Sequence, residues 1–209
     1  MYTLTDDKIE KLYKLQIERA KKVIEKDINL DWNLIAGVDA AYKNDKAIAA
    51  AIVMNKEREV VDSKTISTMV MFPYIPGFLA FREVEALKMA LIDLKFDILM
   101  VNGHGIAHPR KCGLASWIGL EIDKPTIGIA KKLLIGDVGE PKNDYAPVHI
   151  DGSPVGIRLA LKIGVIYVSI GHKISLRKAV EIVRYMNTGE MLPLPLYLAH
   201  RIAKKAIKN

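Results

Sequence analysis

The sequence predicts an α/β protein in which a mixed central β-sheet carries helices on its faces. Three observations predict it. Strand-like segments follow one another between residues 34 and 70, and helical and strand-like stretches alternate from there on. The apolar run Ile98–Val101 then stops abruptly in Asn102-Gly103-His104-Gly105, as a buried strand does when it delivers polar groups to a sheet edge. The resulting order, β-β-β-α-β-α-β with further elements after it, argues for a mixed sheet with helices packed on it.

Composition sets the outer limits. With 209 residues and 50% apolar content, the chain can bury a full core in a single domain spanning residues 1–209. A formal charge of +7 points to a polyanionic partner such as nucleic acid. The lone cysteine, Cys112, excludes an internal disulfide and fits a reducing compartment, where a small buried side chain is its ordinary role. The charged N-terminus lacks the apolar core of a secretory signal, and no apolar run approaches membrane-spanning length. A cytoplasmic protein with no membrane partner, acting as a monomer, is expected. Gln16 is the only glutamine, a bias compatible with a hot habitat or an A/T-rich genome.

Taken in order, Thr5-Asp6-Asp7 followed by Ile9, Leu12, Leu15, Ile17, Ala20, Val23 and Ile24 reads as a capped amphipathic helix. Leu34–Tyr42 is an apolar run interrupted by one carboxylate, Asp39, and a charge there needs a compensating partner. A salt bridge, a strand-end cap or a metal ion would each serve. Ala47–Met54 completes a hairpin. Val60–Val70 is a third strand, with Val61, Ser63, Thr65, Ser67 and Met69 alternating in a half-buried pattern.

Phe72–Glu83, FPYIPGFLAFRE, follows. Its prolines would hold Tyr74 and Ile75 out as a wedge of the kind that prises stacked bases apart, or pack them as a turn on the core. Phe81–Leu94 is helical, and Glu83 near its first turn could complement the helix dipole.

After Asn102, Gly103, Gly105 and Gly113 allow positive φ and let a flat ligand lie against main-chain N–H groups. His108-Pro109-Arg110 adds a base, a rigid turn and a phosphate-seeking guanidinium. Leu114–Ile122 is a helix and Pro125–Ala130 a strand ending in Lys131-Lys132. Asp137–Pro154 is polar and irregular, whereas Val155–Lys162 and Val165–Ile170 are strands. Gly171-His172 closes the last strand, with His172 capping the turn into a helix, Ser175–Met186, begun by a serine cap. A proline-led helix ends the chain and carries His200, whose ordinary role on an apolar helix face is that of a satisfied core residue.

VDAAY at Val38–Tyr42, PYIPGFLAFRE at Pro73–Glu83, GHGIAHPRKCGLA at Gly103–Ala115, TIGIAKK at Thr126–Lys132 and GHKISL at Gly171–Leu176 together resemble endonuclease V. The order and spacing match that family along nearly the whole chain. The resemblance implies an RNase H-like fold and a Mg²⁺-dependent DNA-repair endonuclease, with Mn²⁺ as a possible substitute. Its substrate would be DNA containing deoxyinosine, cut at the second phosphodiester bond 3′ to the lesion to leave 3′-hydroxyl and 5′-phosphate ends. By motif, Asp39 would be a metal ligand, Glu83 a second acidic ligand acting directly or through water, Lys131 a charge stabiliser and His200 a histidine joining the cluster. Tyr74, with Ile75 and Pro76, would form the wedge. Gly77, Leu79, Gly103, Gly105, His108, Gly113 and Leu114 would line the pocket for the extruded base, and small residues there would let backbone groups read its edge.

One position departs from the family pattern: Asn102 stands where an aspartate ligand is expected. An amide oxygen still touches a metal ion but brings no charge, so lower metal affinity and weakened or absent cleavage are expected, with substrate binding kept. Two alternatives follow: an inosine-specific ribonuclease acting on RNA, and an inosine-binding form without catalysis.

Overall fold

The structure is a computed structural model and describes residues 5–28 and 30–208. Its strands β1 (Ile35–Lys43), β2 (Lys46–Met54), β3 (Val60–Met69), β4 (Ile98–Asn102), β5 (Thr126–Ala130), β6 (Asp137–Val138), β7 (Tyr145–Ile150), β8 (Ser153–Leu161) and β9 (Gly164–His172) form one sheet in the order β3-β2-β1-β4-β5-β9-β8-β7-β6. The expected mixed sheet is present. β4 runs parallel to both β1 and β5, and the remaining neighbours are antiparallel. Five helices accompany it among the described residues: α1 (Asp6–Ala20), α2 (Leu79–Leu91), α3 (Leu114–Ile122), α4 (Leu176–Met186) and α5 (Leu194–Ala206).

Strand alternation divides the interior between the two faces. Leu99 and Val101 of β4 join Val38, Leu87 and Ile118 under α2 and α3. Ile98 and Met100 join Ile35, Val183 and Leu196 under α4 and α5. Asp39 has the parity of Ile35 and Gly37, and Asn102 that of Ile98 and Met100, so both polar side chains leave the sheet on the α5 side. Gly37 permits the approach: a Cβ there would lie 2.4 Å from the Pro195 carbonyl carbon at the start of α5.

Several local expectations change. Thr5 has N-cap backbone geometry but makes no side-chain cap bond, whereas Ser175 accepts from the Lys178 amide as a serine cap should. α1 ends at Ala20, and its phase differs from the apolar pattern: Leu15 and Ile17 are 44% and 46% exposed while Gln16 is fully buried. β3 is also out of phase, because Ile66 pairs opposite Ala49 and turns toward α2, leaving Val61 and Met69 on the open side. β6 and β7 lie within a stretch too polar to announce strands, at the sheet edge where one flank meets solvent. Cys112 is buried as expected.

His172 does not cap the turn before α4. It is buried, its Nδ1 accepts from the Ile24 amide at 3.2 Å, and its Nε2 lies 3.6 Å from Asp123.

Candidate active site and base pocket

β1 and β4 end side by side. Their parallel register pairs Val38 with Val101, so the next residues, Asp39 and Asn102, project together. Asn102 Nδ2 donates to Asp39 Oδ1 at 3.0 Å, and His200 Nδ1 donates to Asp39 Oδ2 at 2.6 Å. His200 is therefore not merely a satisfied core residue: α5 aims it at the one buried aspartate. Glu83 sits past the first turn of α2, which contains no acidic residue, so the helix-dipole reading is excluded. Burial, and then the neighbouring Asp39 charge, push its carboxyl up to about 8. The buried Tyr42 hydroxyl has no hydrogen-bond partner of normal geometry among the described residues, although it faces Glu83; burial pushes it far above the ordinary phenol range. Arg82 lies over the Tyr42 ring at 4.5 Å.

The donor set is two carboxylates, an amide and an imidazole. Among the described residues, no group of three or more His, Cys, Asp or Glu side chains is arranged to hold a metal ion. The set nevertheless fits a hard cation: Asp39, Glu83 and the Asn102 amide bring oxygen donors to one cavity, and a cation there would favour the ionised form of Glu83, which burial and the Asp39 charge disfavour. Asn102, contributing no charge, is what keeps the cluster from having three acids.

A cavity of about 600 Å³ opens at this cluster, lined at one end by Asp39, Glu83, Asn102 and Lys131 and at the other by Tyr74–Gly77, His108 and Gly113–Leu114. Lys131 is exposed at the rim just past β5. Tyr74 is 68% exposed, Ile75 is half-buried and Pro76 exposed, so the core-packed alternative does not hold for Tyr74. Gly77 has φ +80° and closes this loop onto α2. Leu79 and Gly103 also line the cavity.

Gly105 does not. A Cβ on it would lie 1.8 Å from the Ile170 carbonyl oxygen, and its N–H donates to Ser169 Oγ at 2.9 Å, so it is a packing glycine against β9. Gly103, Gly105 and Gly113 do not adopt positive φ either. They are small because neighbours approach closely: at Gly113 a Cβ would stand 2.3 Å from the His104 carbonyl oxygen. Their N–H groups are spent internally, Gly103 on Val101 and Ile129 and Gly113 on Gly105. Arg110 is likewise turned inward, donating to the Gly77 carbonyl at 2.7 Å and to Gln16 at 2.6 Å, and is not a free phosphate contact.

His108 orients a neighbour. Its Nδ1 accepts from the Arg110 amide at 3.2 Å, and its Nε2 donates to the Gly77 carbonyl at 3.0 Å. Burial, with the Arg110 charge beside it, pulls its pKa down to about 4 and keeps the ring neutral.

This arrangement has known counterparts. The Endonuclease V family model matches residues 17–201. The chain belongs to the endonuclease V family. An endonuclease V from Thermofilum pendens is 45% identical over 202 residues, covering 93% of this chain and 87% of that protein. One from Pyrococcus abyssi is 40% identical, with 96% and 94% covered. Among solved structures, the endonuclease V of Streptomyces avermitilis superposes with a TM-score of 0.87 at 30% identity, covering 99% of this chain and 95% of that one. Endonuclease V of Ciona intestinalis, in complex with a 24mer DNA containing an inosine followed by a ribo-adenosine, gives a TM-score of 0.87 at 26% identity, with 98% and 99% covered. The RNase H-like fold implied by the motifs is the fold of these endonuclease V relatives.

Two residues of the cavity do not stand out in the sequence. Gln16 lies in a helix whose apolar pattern points elsewhere, and its buried position leaves no periodic trace. Tyr42 closes the VDAAY motif, where its own chemistry is masked by that of Asp39. No helix among the described residues is long and apolar enough to cross a membrane.

Proposed function

We propose that this chain is a metal-dependent DNA endonuclease that takes up a hypoxanthine base extruded from a strand and hydrolyses the second phosphodiester bond on its 3′ side. One observation carries the reading: the carboxylates of β1 and α2 open onto the same cavity as the exposed Tyr74. Asp39, Glu83 and the Asn102 amide oxygen would hold Mg²⁺, with Mn²⁺ as a substitute. When bound, such an ion supplies Lewis-acid neutralisation of the phosphate and lowers the pKa of water. Around it, His200 holds Asp39 in one orientation, Lys131 offers a positive charge to the phosphate at the rim, and Tyr74 stacks in the gap left by the base. Products with 3′-hydroxyl and 5′-phosphate ends follow from attack at phosphorus with departure of the 3′ oxygen.

Asn102 limits this chemistry. Its amide donates to Asp39 rather than adding charge, so weak metal binding and slow cleavage with retained inosine binding are the expected behaviour. A second reading, cleavage of inosine-containing RNA, is favoured by the ribo-adenosine that follows inosine in the Ciona complex. Duplexes with one inosine, in DNA and in RNA form, incubated with Mg²⁺ and with EDTA, test both. Nicking of the DNA form 3′ to inosine, in Mg²⁺ alone, is expected. Faster cutting of RNA selects the second reading, and equal affinity for inosine and adenine duplexes defeats both.

A further inference from the structure

Gln16 belongs to α1, outside the sheet, yet it is fully buried and both ends of its amide are engaged. Its Nε2 donates to the Gly77 carbonyl at 3.0 Å and to the Cys112 carbonyl at 3.2 Å, while its Oε1 accepts from Arg110 Nε at 2.6 Å. Gly77, which ends the segment that begins with Tyr74, lines the cavity, and Cys112, which does not, immediately precedes two residues that do, Gly113 and Leu114.

We infer that Gln16 is a positioning residue for base recognition, setting the separation of the two pocket walls by bridging them. The inference rests on the proposed reading of the cavity as a base pocket. Its physical basis is convergence. The Gly77 carbonyl accepts from Gln16, His108 and Arg110 together, which fixes the following peptide plane. The Arg110 guanidinium lies 4.3 Å from the Tyr13 ring and 4.9 Å from that of Phe78, and those rings stack at 5.1 Å. α1 is moored separately, through Arg19, which pairs with Glu121 and lies 4.1 Å over Trp117. The bridge therefore hangs from an anchored helix, and a pocket that reads a base by its shape and edge depends on such fixed spacing.

The test is equilibrium binding to a duplex with one inosine and to the matched adenine duplex, in EDTA so that nothing is cut, together with thermal unfolding. Gln16→Met keeps the length and removes all three hydrogen bonds; Gln16→Asn keeps the amide but shortens its reach by one methylene. For Gln16→Met the inosine-to-adenine affinity ratio is expected to fall roughly tenfold or more, the scale of loss produced by small misplacement of a preorganised site. Gln16→Asn should lose part of that ratio. A ratio kept at its wild-type value in a folded variant, whether or not both affinities drop together, overturns the inference, since a merely structural residue would weaken both duplexes alike. Failure of both variants to fold overturns it too, by making Gln16 a stability residue. Absence of any inosine preference in the unaltered chain defeats the functional reading itself.

Discussion

The two ends of the cavity are finished in opposite ways. At the Gly77 end, polar groups are paired within the protein: His108, Arg110 and Gln16 converge on one carbonyl, and His108 uses both ring nitrogens. At the Asp39 end, Glu83 is buried near a second carboxylate, and the Tyr42 hydroxyl that faces it has no hydrogen-bond partner of normal geometry among the described residues. The Gly77 wall is completed by its own hydrogen bonds, whereas at the Asp39 end burial and the Asp39 charge hold Glu83 toward its protonated form and Asn102 supplies no charge. One cavity thus has a half closed by its own hydrogen bonds and a half in which an amide stands beside two carboxyl groups.

The largest test of this contrast adds a third carboxylate. Asn102→Asp places another negative charge beside Asp39 and Glu83, so in EDTA the variant should melt below the unaltered chain. Mg²⁺ should reverse the order, raising its melting temperature by several degrees more than that of the parent, as ligand linkage requires. Equal Mg²⁺-induced shifts in both proteins would remove the charge-deficit half of the comparison.

At the paired end, the next effect is one of pH. The His108 pKa is depressed in the fold, so between about 6.5 and about 4 the unfolded chain binds the proton and the native chain does not. The associated stability is present above pH 6.5 and is lost as pH falls toward 4, up to about 3 kcal/mol. Chemical denaturation across that window should show a slope that flattens in His108→Gln; an unchanged slope would mean that the ring is not held neutral.

Gly113→Val probes the closeness of the same wall. With its first carbon directed at the His104 carbonyl, valine should cost about 1–3 kcal/mol or more of stability and abolish the inosine preference. Unaltered binding and melting would place the pocket elsewhere. Smallest in its effect on the fold is Tyr74→Ala. The side chain is exposed, so stability should stay within about 0.5 kcal/mol, while affinity for inosine DNA should fall by about 1–3 kcal/mol if it stacks on bases.

How much of this is legible in the sequence depends on the kind of signal. Asp39 and Asn102 can be read because each interrupts or ends an apolar strand, where a buried polar group is costly unless it is paired or binds something. The prolines flanking Tyr74 leave a wedge and a core-packed turn both open, and its 68% exposure decides between them. Gln16 is not legible, because nothing in α1's pattern shows that a loop some sixty residues away, at Gly77, will cover it. The alternation in β3 points one residue out of phase, since Val and Thr occupy both faces of an edge strand and only pairing with β2 decides which face meets α2. Its motif places Gly105 in the pocket, although its packing against Ile170 arises from a strand distant in sequence. Local chemistry is readable; long-range contact is not.

The measurement that bears most directly on the two-ended cavity is the cleavage rate of a single-inosine DNA duplex by this chain and by its Asn102→Asp form, in Mg²⁺ and in EDTA. Similar inosine binding by both is expected, with Mg²⁺-dependent nicking 3′ to the lesion at least about a hundredfold faster in the aspartate form, a barrier change of roughly 3 kcal/mol. Equal rates in the two forms, or equal cutting of inosine and adenine duplexes, would contradict a cavity that pairs a rigid base pocket with a charge-deficient metal site.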